Sequence, residues 1–259
     1  STRVRSSAAS DVYKRQGEAK ELTKKKKKAF KMPHTLVIIF MIIFAFSRYF
    51  LPYKGASNGK AIAIPKGIVT LFGVLAVISF LGEGGMMDWS GVFLTEAKGV
   101  DLSLAGVGYA VFSAAMLIGR LIGDKVVQKL GEQRVVIFGG IVASIGYIIS
   151  IVFDNFFMMQ FGFILLGFGA ANIVPVVFTL LGRQKEMPIN SAVTAVTSMG
   201  YLGVMFGPAL LGFIAHGIGI VTVFCILAGL FILQAIVSSY VFKAVSYTHL
   251  RAHETELHL

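Results

Sequence analysis

Long apolar segments separated by short polar connections make up most of this chain. Each segment is close to the roughly 20 residues that a helix needs to cross a membrane. They are residues 35–52, 67–94, 103–123, 134–153, 157–181, 190–213 and 219–242. The pattern predicts an all-α membrane protein with seven spanning helices.

Composition agrees with a membrane protein and narrows its partners. Of the 259 residues, 56% are hydrophobic and 14% are charged. The net charge of +11 comes mainly from residues 1–33, where eleven Lys and Arg stand against three acidic residues. The remainder is only mildly basic, so no nucleic-acid partner is indicated.

Neither an enzyme nor a cofactor site is indicated by the sequence. There is no HExxH or GxSxG motif, and the five histidines are scattered or lie near the C-terminal end. We therefore expect no catalytic residues, no metal and no cofactor. Cys225 is the single cysteine, which excludes an intramolecular disulfide, and we expect it to be a small packing residue.

The two ends of the chain lack the periodicity of a helix or a strand. The opening STRVRSSAASDVYKRQ, residues 1–16, and the closing VSYTHLRAHETELHL, residues 245–259, resemble translated sequencing-adapter read-through, so the tails are drawn at residues 1–33 and 243–259. We expect both to be artefactual or disordered tails and leave them out of the fold.

Charges in the connections alternate between basic and nearly uncharged. Basic connections are cytoplasmic by the positive-inside rule, which places residues 53–66 in a cytoplasmic loop and starts helix 35–52 outside. One helix that starts outside therefore precedes a set of six. This order is expected of a twelve-helix protein that has lost its first five helices. We predict that 35–52 is the sixth transmembrane helix, 53–66 the central loop, and 67–242 the C-terminal six-helix bundle.

The six-helix part contains an internal repeat. Residues 78–93 align with residues 163–178, with glycines, leucine, valine and phenylalanine in matching places. Three helices separate the two copies, so the copies cross the membrane in opposite directions. This predicts a three-plus-three inverted repeat.

One connection carries a family signature. The stretch GRLIGDKVVQKLGEQRVV, residues 119–136, resembles the loop motif of the major facilitator superfamily through a set of five residues, which are Gly119, Gly123, Asp124, Gly131 and Arg134. With FLGEGGMMDW, GFGAANIVP and GYLGVMFGP, residues 35–242 resemble the C-terminal half of a bacterial inner-membrane branch distantly akin to sugar permeases such as the fucose permeases. The loop departs from the family pattern at Glu132 and Gln133.

The resemblance implies a transporter whose two six-helix halves rock around a midplane site. In that family the loop aspartate stabilises the outward-facing state, so Asp124, with Gly119, Gly123 and Arg120, is expected to form a conformational latch. The alternative for Arg120 is that it anchors its helix at the cytoplasmic headgroups.

Two carboxylates interrupt the apolar stretch FLGEGGMMDW. Glu83 lies roughly 3 Å from the middle of its helix, and Asp88 lies toward the outer end. A charge at that depth costs at least about 2.5 kcal/mol, so it needs a cavity or a partner. We expect Glu83 to bind substrate or a proton, and Asp88 to be an outer-side helix contact or gate.

Polar stripes mark further candidates for a cavity lining. One stripe holds Tyr109, Ser113, Met116 and Arg120, and another holds Ser191, Thr194, Ser198 and Tyr201. Tyr109, Tyr201 and the midspan amide of Asn172 are expected to line the site. Helix packing, backbone hydrogen bonds and a kink near Pro175 are the alternatives.

The leading hypothesis is a secondary active transporter, coupled to protons, that moves a small polar solute such as a sugar. Its partners would be that solute, protons, the lipid bilayer and a missing N-terminal half of the same protein. Efflux of amphipathic compounds is the first alternative, and it is supported by Met86, Met87 and Met116. A non-transporting membrane sensor or scaffold is the second.

Overall fold

The computed structural model describes residues 34–46 and 63–256, and every regular element in them is helical. The predicted N-terminal tail, and all but the last four residues of the predicted central loop, lie outside the described residues. In chain order the helices are α1 (His34–Phe46), α2 (Ile68–Val92), α3 (Val107–Leu121), α4 (Gly123–Leu130), α5 (Glu132–Val152), α6 (Phe156–Ala170), α7 (Ile173–Leu181), α8 (Ile189–Ile218) and α9 (Ile220–Glu256). A π-helical turn, Phe93–Ala97, extends α2, and a 3₁₀ turn, Leu102–Leu104, precedes α3.

The chain divides into two compact units, residues 1–57 and 58–259. The first contains α1, an apolar helix of 13 residues that covers most of the span predicted for residues 35–52. The second unit contains all of the longer helices.

Six helical segments of the second unit are long and apolar enough to cross a membrane. They are Ile68–Ala97, Leu102–Leu121, Glu132–Val152, Phe156–Leu181, Ile189–Ile218 and Ile220–Phe242. The six predicted spans are confirmed, with ends that shift by a few residues. The helix that begins the last span continues to Glu256, beyond the predicted end at residue 242, because residues 243–256 contain no glycine or proline to stop it.

The six helices pack in a pattern that agrees with the predicted repeat. The first half of the repeat contains α2, α3 and α5, and the second half contains α6 with α7, α8 and α9. Helix α2 packs on α8 and α9 of the second half, and its counterpart α6 packs on α3 and α5 of the first half. The third helices of the two halves, α5 and α9, pack on each other. These contacts correspond when the two halves are exchanged, as expected of a three-plus-three arrangement, whereas the additional contact of α8 with α9 has no counterpart of similar extent between α3 and α5.

Glycines bring α5 and α6 into backbone contact. A Cβ placed on Gly146 would lie 2.5 Å from the carbonyl oxygen of Gly162, and one placed on Gly139 would lie 2.6 Å from that of Gly169. Each pair of glycines is spaced seven residues, or two turns, along its helix. Small residues at such crossings let membrane helices approach closely, where dispersion attraction is strongest.

Buried polar side chains connect the helices at the centre of the bundle. Tyr147 of α5 is fully buried and donates to the carbonyl oxygen of Gly82 on α2, at 3.0 Å. Gln234 of α9 donates to Ser79 Oγ at 2.8 Å. Ser79 is fully buried, so this hydrogen bond lies within the core.

Ion pairs join neighbouring elements at both ends of the bundle. At the end predicted to face outside, Lys98 contacts Asp154 at 2.7 Å and also donates to the carbonyl oxygen of Ile151. At the opposite end Arg183 donates to both carboxylate oxygens of Glu132, at 2.7 and 2.8 Å. The acidic residue that departs from the family loop pattern thus has a bidentate partner.

Candidate functional site: a charged pair between two helices

A cavity of about 360 Å³ opens between α2 and α3, with α8 at its side. Its wall combines aromatic, sulfur-containing and aliphatic side chains with a few polar ones. The lining residues are Phe80, Glu83, Gly84, Met87, Tyr109, Phe112, Ser113, Met116, Leu117, Arg120 and Val204. All four members of the stripe predicted on α3 belong to this wall.

Glu83 and Arg120 form an ion pair in this cavity. Arg120 Nη2 lies 3.3 Å from each carboxylate oxygen of Glu83. The Glu83 side chain is 20% exposed and the Arg120 side chain 47% exposed. The separation exceeds the 2.7–2.9 Å of a tight charge-assisted hydrogen bond, so the contact is a loose one.

Glu83 lies near the middle of its span, 14 residues before the end of the π-turn at Ala97. Arg120 lies in the last turn of α3, one residue before the helix ends at Leu121. Its long side chain reaches from this end of α3 to the carboxylate on α2. Arg120 thus pairs with a carboxylate on the neighbouring helix, and the alternative role as a headgroup anchor stays a prediction.

A break between α6 and α7 provides a second contact for Arg120. Pro175 has no N–H to donate to the carbonyl oxygen of Ala171, four residues earlier. Arg120 Nε lies 3.4 Å from that oxygen. The guanidinium thus connects the carboxylate on α2 with the broken helix on the other side of α3.

Asn172 does not line the cavity. It sits at the break, where its side-chain amide donates to the carbonyl oxygen of Gly119 at 3.0 Å. A Cβ on Gly119 would lie 2.7 Å from that of Ala171, and a Cβ on Gly123 would overlap the Asn172 amide oxygen. The two glycines predicted to belong to a latch therefore form the surface on which the broken helix packs, which positions Arg120 between them.

The two tyrosines differ in their relation to the charged pair. Tyr109 lines the cavity and is 37% exposed. Tyr201 of α8 is 59% exposed and stacks on Phe80, with ring centroids 6.2 Å apart. Tyr201 thus does not line the cavity itself but packs behind Phe80, which does. On the same helix Thr194 donates to the carbonyl oxygen of Asn190, as the backbone-bonding alternative anticipated.

The other two candidate carboxylates are exposed. Asp124 lies in the first turn of α4 and makes no hydrogen bond or ion pair with any described residue. Asp88 lines a groove with Glu96 and Tyr109 toward the predicted outer end. Their proposed roles as latch and outer gate remain predictions. Cys225 is exposed on α9, so the expected packing role is wrong.

The pairing of Glu83 with Arg120 was missed by sequence reasoning, which assigned the two residues to different functions. Within residues 63–242, no group of three or more His, Cys, Asp and Glu side chains could hold a metal ion.

Six membrane-length helices in an inverted repeat, with a charged pair in a cavity between two of them, define a multi-pass membrane protein. A family model described as Major Facilitator Superfamily matches residues 72–256. The chain belongs to this family.

Several curated proteins are similar in sequence. An uncharacterised MFS-type transporter of Yersinia pestis is 44% identical over 183 residues, which cover 70% of this chain and 48% of that protein. The membrane protein MosC of Rhizobium meliloti is 30% identical over 58% of this chain and 37% of its own length. A TsgA homolog of Serratia proteamaculans is 25% identical over 66% of this chain and 44% of its own. The chain spans about half the length of these relatives or less.

Solved transporters share the fold. A crystal structure of a peptide transporter POT in complex with sulfate has a TM-score of 0.59 at 20% identity, over 73% of this chain and 39% of that one. The POT family transporter PepTSo has a TM-score of 0.58 at 16% identity, over 69% and 38% of the two chains. At these identities the likeness concerns the fold alone.

Proposed function

We propose that this protein is the C-terminal half of a secondary active transporter that moves a small solute together with protons by alternating access. Its membrane would be the bacterial cytoplasmic membrane, as the family resemblance implies. The observation that carries the proposal is the Glu83–Arg120 pair in a cavity, with Glu83 near the middle of its span. Charges at this depth are costly, and they are typical of solute and proton pathways.

The pair can exist in two charge states. With Glu83 ionised, its carboxylate neutralises Arg120 across 3.3 Å. When Glu83 takes up a proton, the guanidinium loses its partner and the cavity gains one positive charge. A group that changes charge where a solute binds can couple the binding of the solute to that of the proton, because each alters the affinity for the other.

The exposure of the helices supports a second half on the cavity side. The apolar windows of α8 and of the α3 span are 11% and 28% buried, whereas those of the other four spans are 44–56% buried. These two less buried helices flank the mouth of the cavity. We propose that the missing N-terminal half covers this side and completes the site, while the remaining surface faces lipid.

The test is solute uptake by the complete protein in proteoliposomes under an imposed pH gradient. We expect Glu83→Gln to abolish uptake driven by the gradient while solute exchange persists, because glutamine cannot release a proton. Glu132→Gln is the matched control, since Glu132 also pairs with an arginine and has the same 20% exposure, but lies outside the cavity. Gradient-driven uptake that survives Glu83→Gln would exclude the proton role.

Efflux of amphipathic compounds is a second candidate on the same fold. Six apolar side chains in the cavity wall, among them Met87 and Met116, favour it, because flexible methionines adapt to varied ligands. Met86 does not contribute, since it is fully buried in the core. Resistance of a pump-deleted host that expresses the complete protein, reversed by Met87→Ala, would support efflux. Unchanged drug sensitivity would exclude it.

A further inference from the structure

The wall of the cavity gives a charge and a shape to its ligand. Besides the ion pair, its only side-chain polar groups are the hydroxyls of Tyr109 and Ser113. The remaining side chains form an apolar surface made of Phe80, Met87, Phe112, Met116, Leu117 and Val204. On this side a sugar would leave most of its hydroxyls without partners, and an unpaired buried polar group costs free energy. An apolar body matches the wall better.

The guanidinium retains unused capacity for an anion. Arg120 uses Nη2 for Glu83 and Nε for the carbonyl oxygen of Ala171. Its third nitrogen, Nη1, donates to no described residue. A planar guanidinium with free donors binds carboxylate-like groups in a bidentate way, and its contact with Ala171 holds it in place when Glu83 leaves.

Charge balance selects among ligand classes. The cavity wall contains one negative and one positive side chain, so this side of the site is neutral with Glu83 ionised. One proton on Glu83 leaves one net positive charge, which a monoanion cancels and a neutral polyol does not. A cation would add a second positive charge. Because unbalanced charge is costly at this depth, a proton and a monoanion form the favoured load.

We infer that the cavity binds a small organic monoanion with an apolar body, whose anionic group replaces Glu83 on the guanidinium of Arg120. This inference rests on the proposed function and specifies its substrate class. The anionic group contacts Nη1 and Nη2, and the body lies against Phe112 and Met116. Protonation of Glu83 and arrival of the anion then assist each other, since both remove the carboxylate from the arginine.

The test measures protection of a thiol placed in the cavity. Cys225→Ala removes the only native cysteine of the chain, and Ser113→Cys introduces one into the wall. The rate of its alkylation by a maleimide is measured with four probes: benzenesulfonate, benzenesulfonamide, phenyltrimethylammonium and glucose. The first three share an aromatic body and are anionic, neutral and cationic at the pH of the assay, so the comparison isolates ligand charge.

We expect benzenesulfonate alone to protect, slowing alkylation about tenfold at ten times its dissociation constant. Arg120→Gln should abolish this protection. Glu83→Gln, which mimics the protonated acid, should lower the concentration needed for it. Arg183→Gln is the matched control, because Arg183 is similarly exposed (52% against 47%) and pairs with a carboxylate outside the cavity. It should change nothing.

Several results would overturn the inference. Protection by the cation or by glucose but not by the sulfonate would assign another substrate class to the site. Equal protection by sulfonate and sulfonamide, or no protection by any probe, would remove the role of charge. If Arg120→Gln fails to fold, an unchanged sulfonate affinity in Glu83→Gln counts against the exchange of partners. The proposed transport itself fails only if the complete protein shows no proton-driven uptake of any solute class.

Discussion

The close crossing of α5 and α6 is the feature whose disruption the structure predicts most directly. Gly146→Ala would place a Cβ 2.5 Å from the carbonyl oxygen of Gly162 and 2.6 Å from the backbone nitrogen of Leu166. Both neighbours are backbone atoms of a packed helix, so neither can rotate away. Ordinary contact begins at 3.4 Å, which requires the helices to move apart by about 0.9 Å.

The cost follows from the contacts that this movement loosens. Inserting a methyl group into a well-packed interior destabilises by about 1–3 kcal/mol. Alanine is better than glycine within a helix by about 0.5–1 kcal/mol, which offsets part of it. We therefore expect Gly146→Ala to lower the free energy of unfolding by about 1–2 kcal/mol.

Unfolding of the purified chain in detergent micelles, followed by circular dichroism as sodium dodecyl sulfate is added, measures this change. Gly229→Ala is the control, because Gly229 is also helical and nothing lies within 4 Å of its Cβ position. We expect that variant to be as stable as the parent or slightly more stable. If Gly146→Ala proves no less stable than Gly229→Ala, then the crossing is looser than the structure shows and the reasoning is refuted.

Three further predictions concern single contacts. Tyr147→Phe removes the hydrogen bond to the carbonyl oxygen of Gly82, next to Glu83, and should cost about 0.6–1.7 kcal/mol in the same unfolding assay; an unchanged midpoint would contradict it. Gly123→Ala should displace the Asn172 amide and loosen the packing of the break between α6 and α7. We expect it to reduce gradient-driven uptake by the complete protein more than Gly229→Ala does, and equal uptake by the two variants would argue against a positioning role for the break. A hydrogen bond from Ser103 lowers the pKa of Asp101, which lies outside the spans. This cap should therefore stabilise its turn at neutral pH and lose that effect as the pH falls through the lowered pKa. A titration of Asp101 by NMR that shows its ordinary pKa would disprove the cap.

The family and the architecture could be predicted from the chain because their signals are local. Hydrophobic length predicts a spanning helix wherever the segment lies, and the motif at residues 119–136 is contiguous. The predicted stripe from Tyr109 to Arg120 also needed only the period of one helix, and its four members do share one wall. The functional candidacy of Glu83 was also predicted from the sequence, because a charged residue interrupts an apolar segment there.

The partners of these residues depend on how neighbouring helices are rotated and displaced, which the period of a single helix does not contain. Sequence determined that Glu83 needs a partner and that Pro175 frees a carbonyl group, but only the tertiary structure made Arg120 the neighbour of both. The same holds for Gly119, whose motif suggested a latch and whose position shows a packing surface for the broken helix. Helix periodicity determines which side chains of α3 lie on the same face. The packing of α3 between α2 and the break determines which residues of other helices that face contacts.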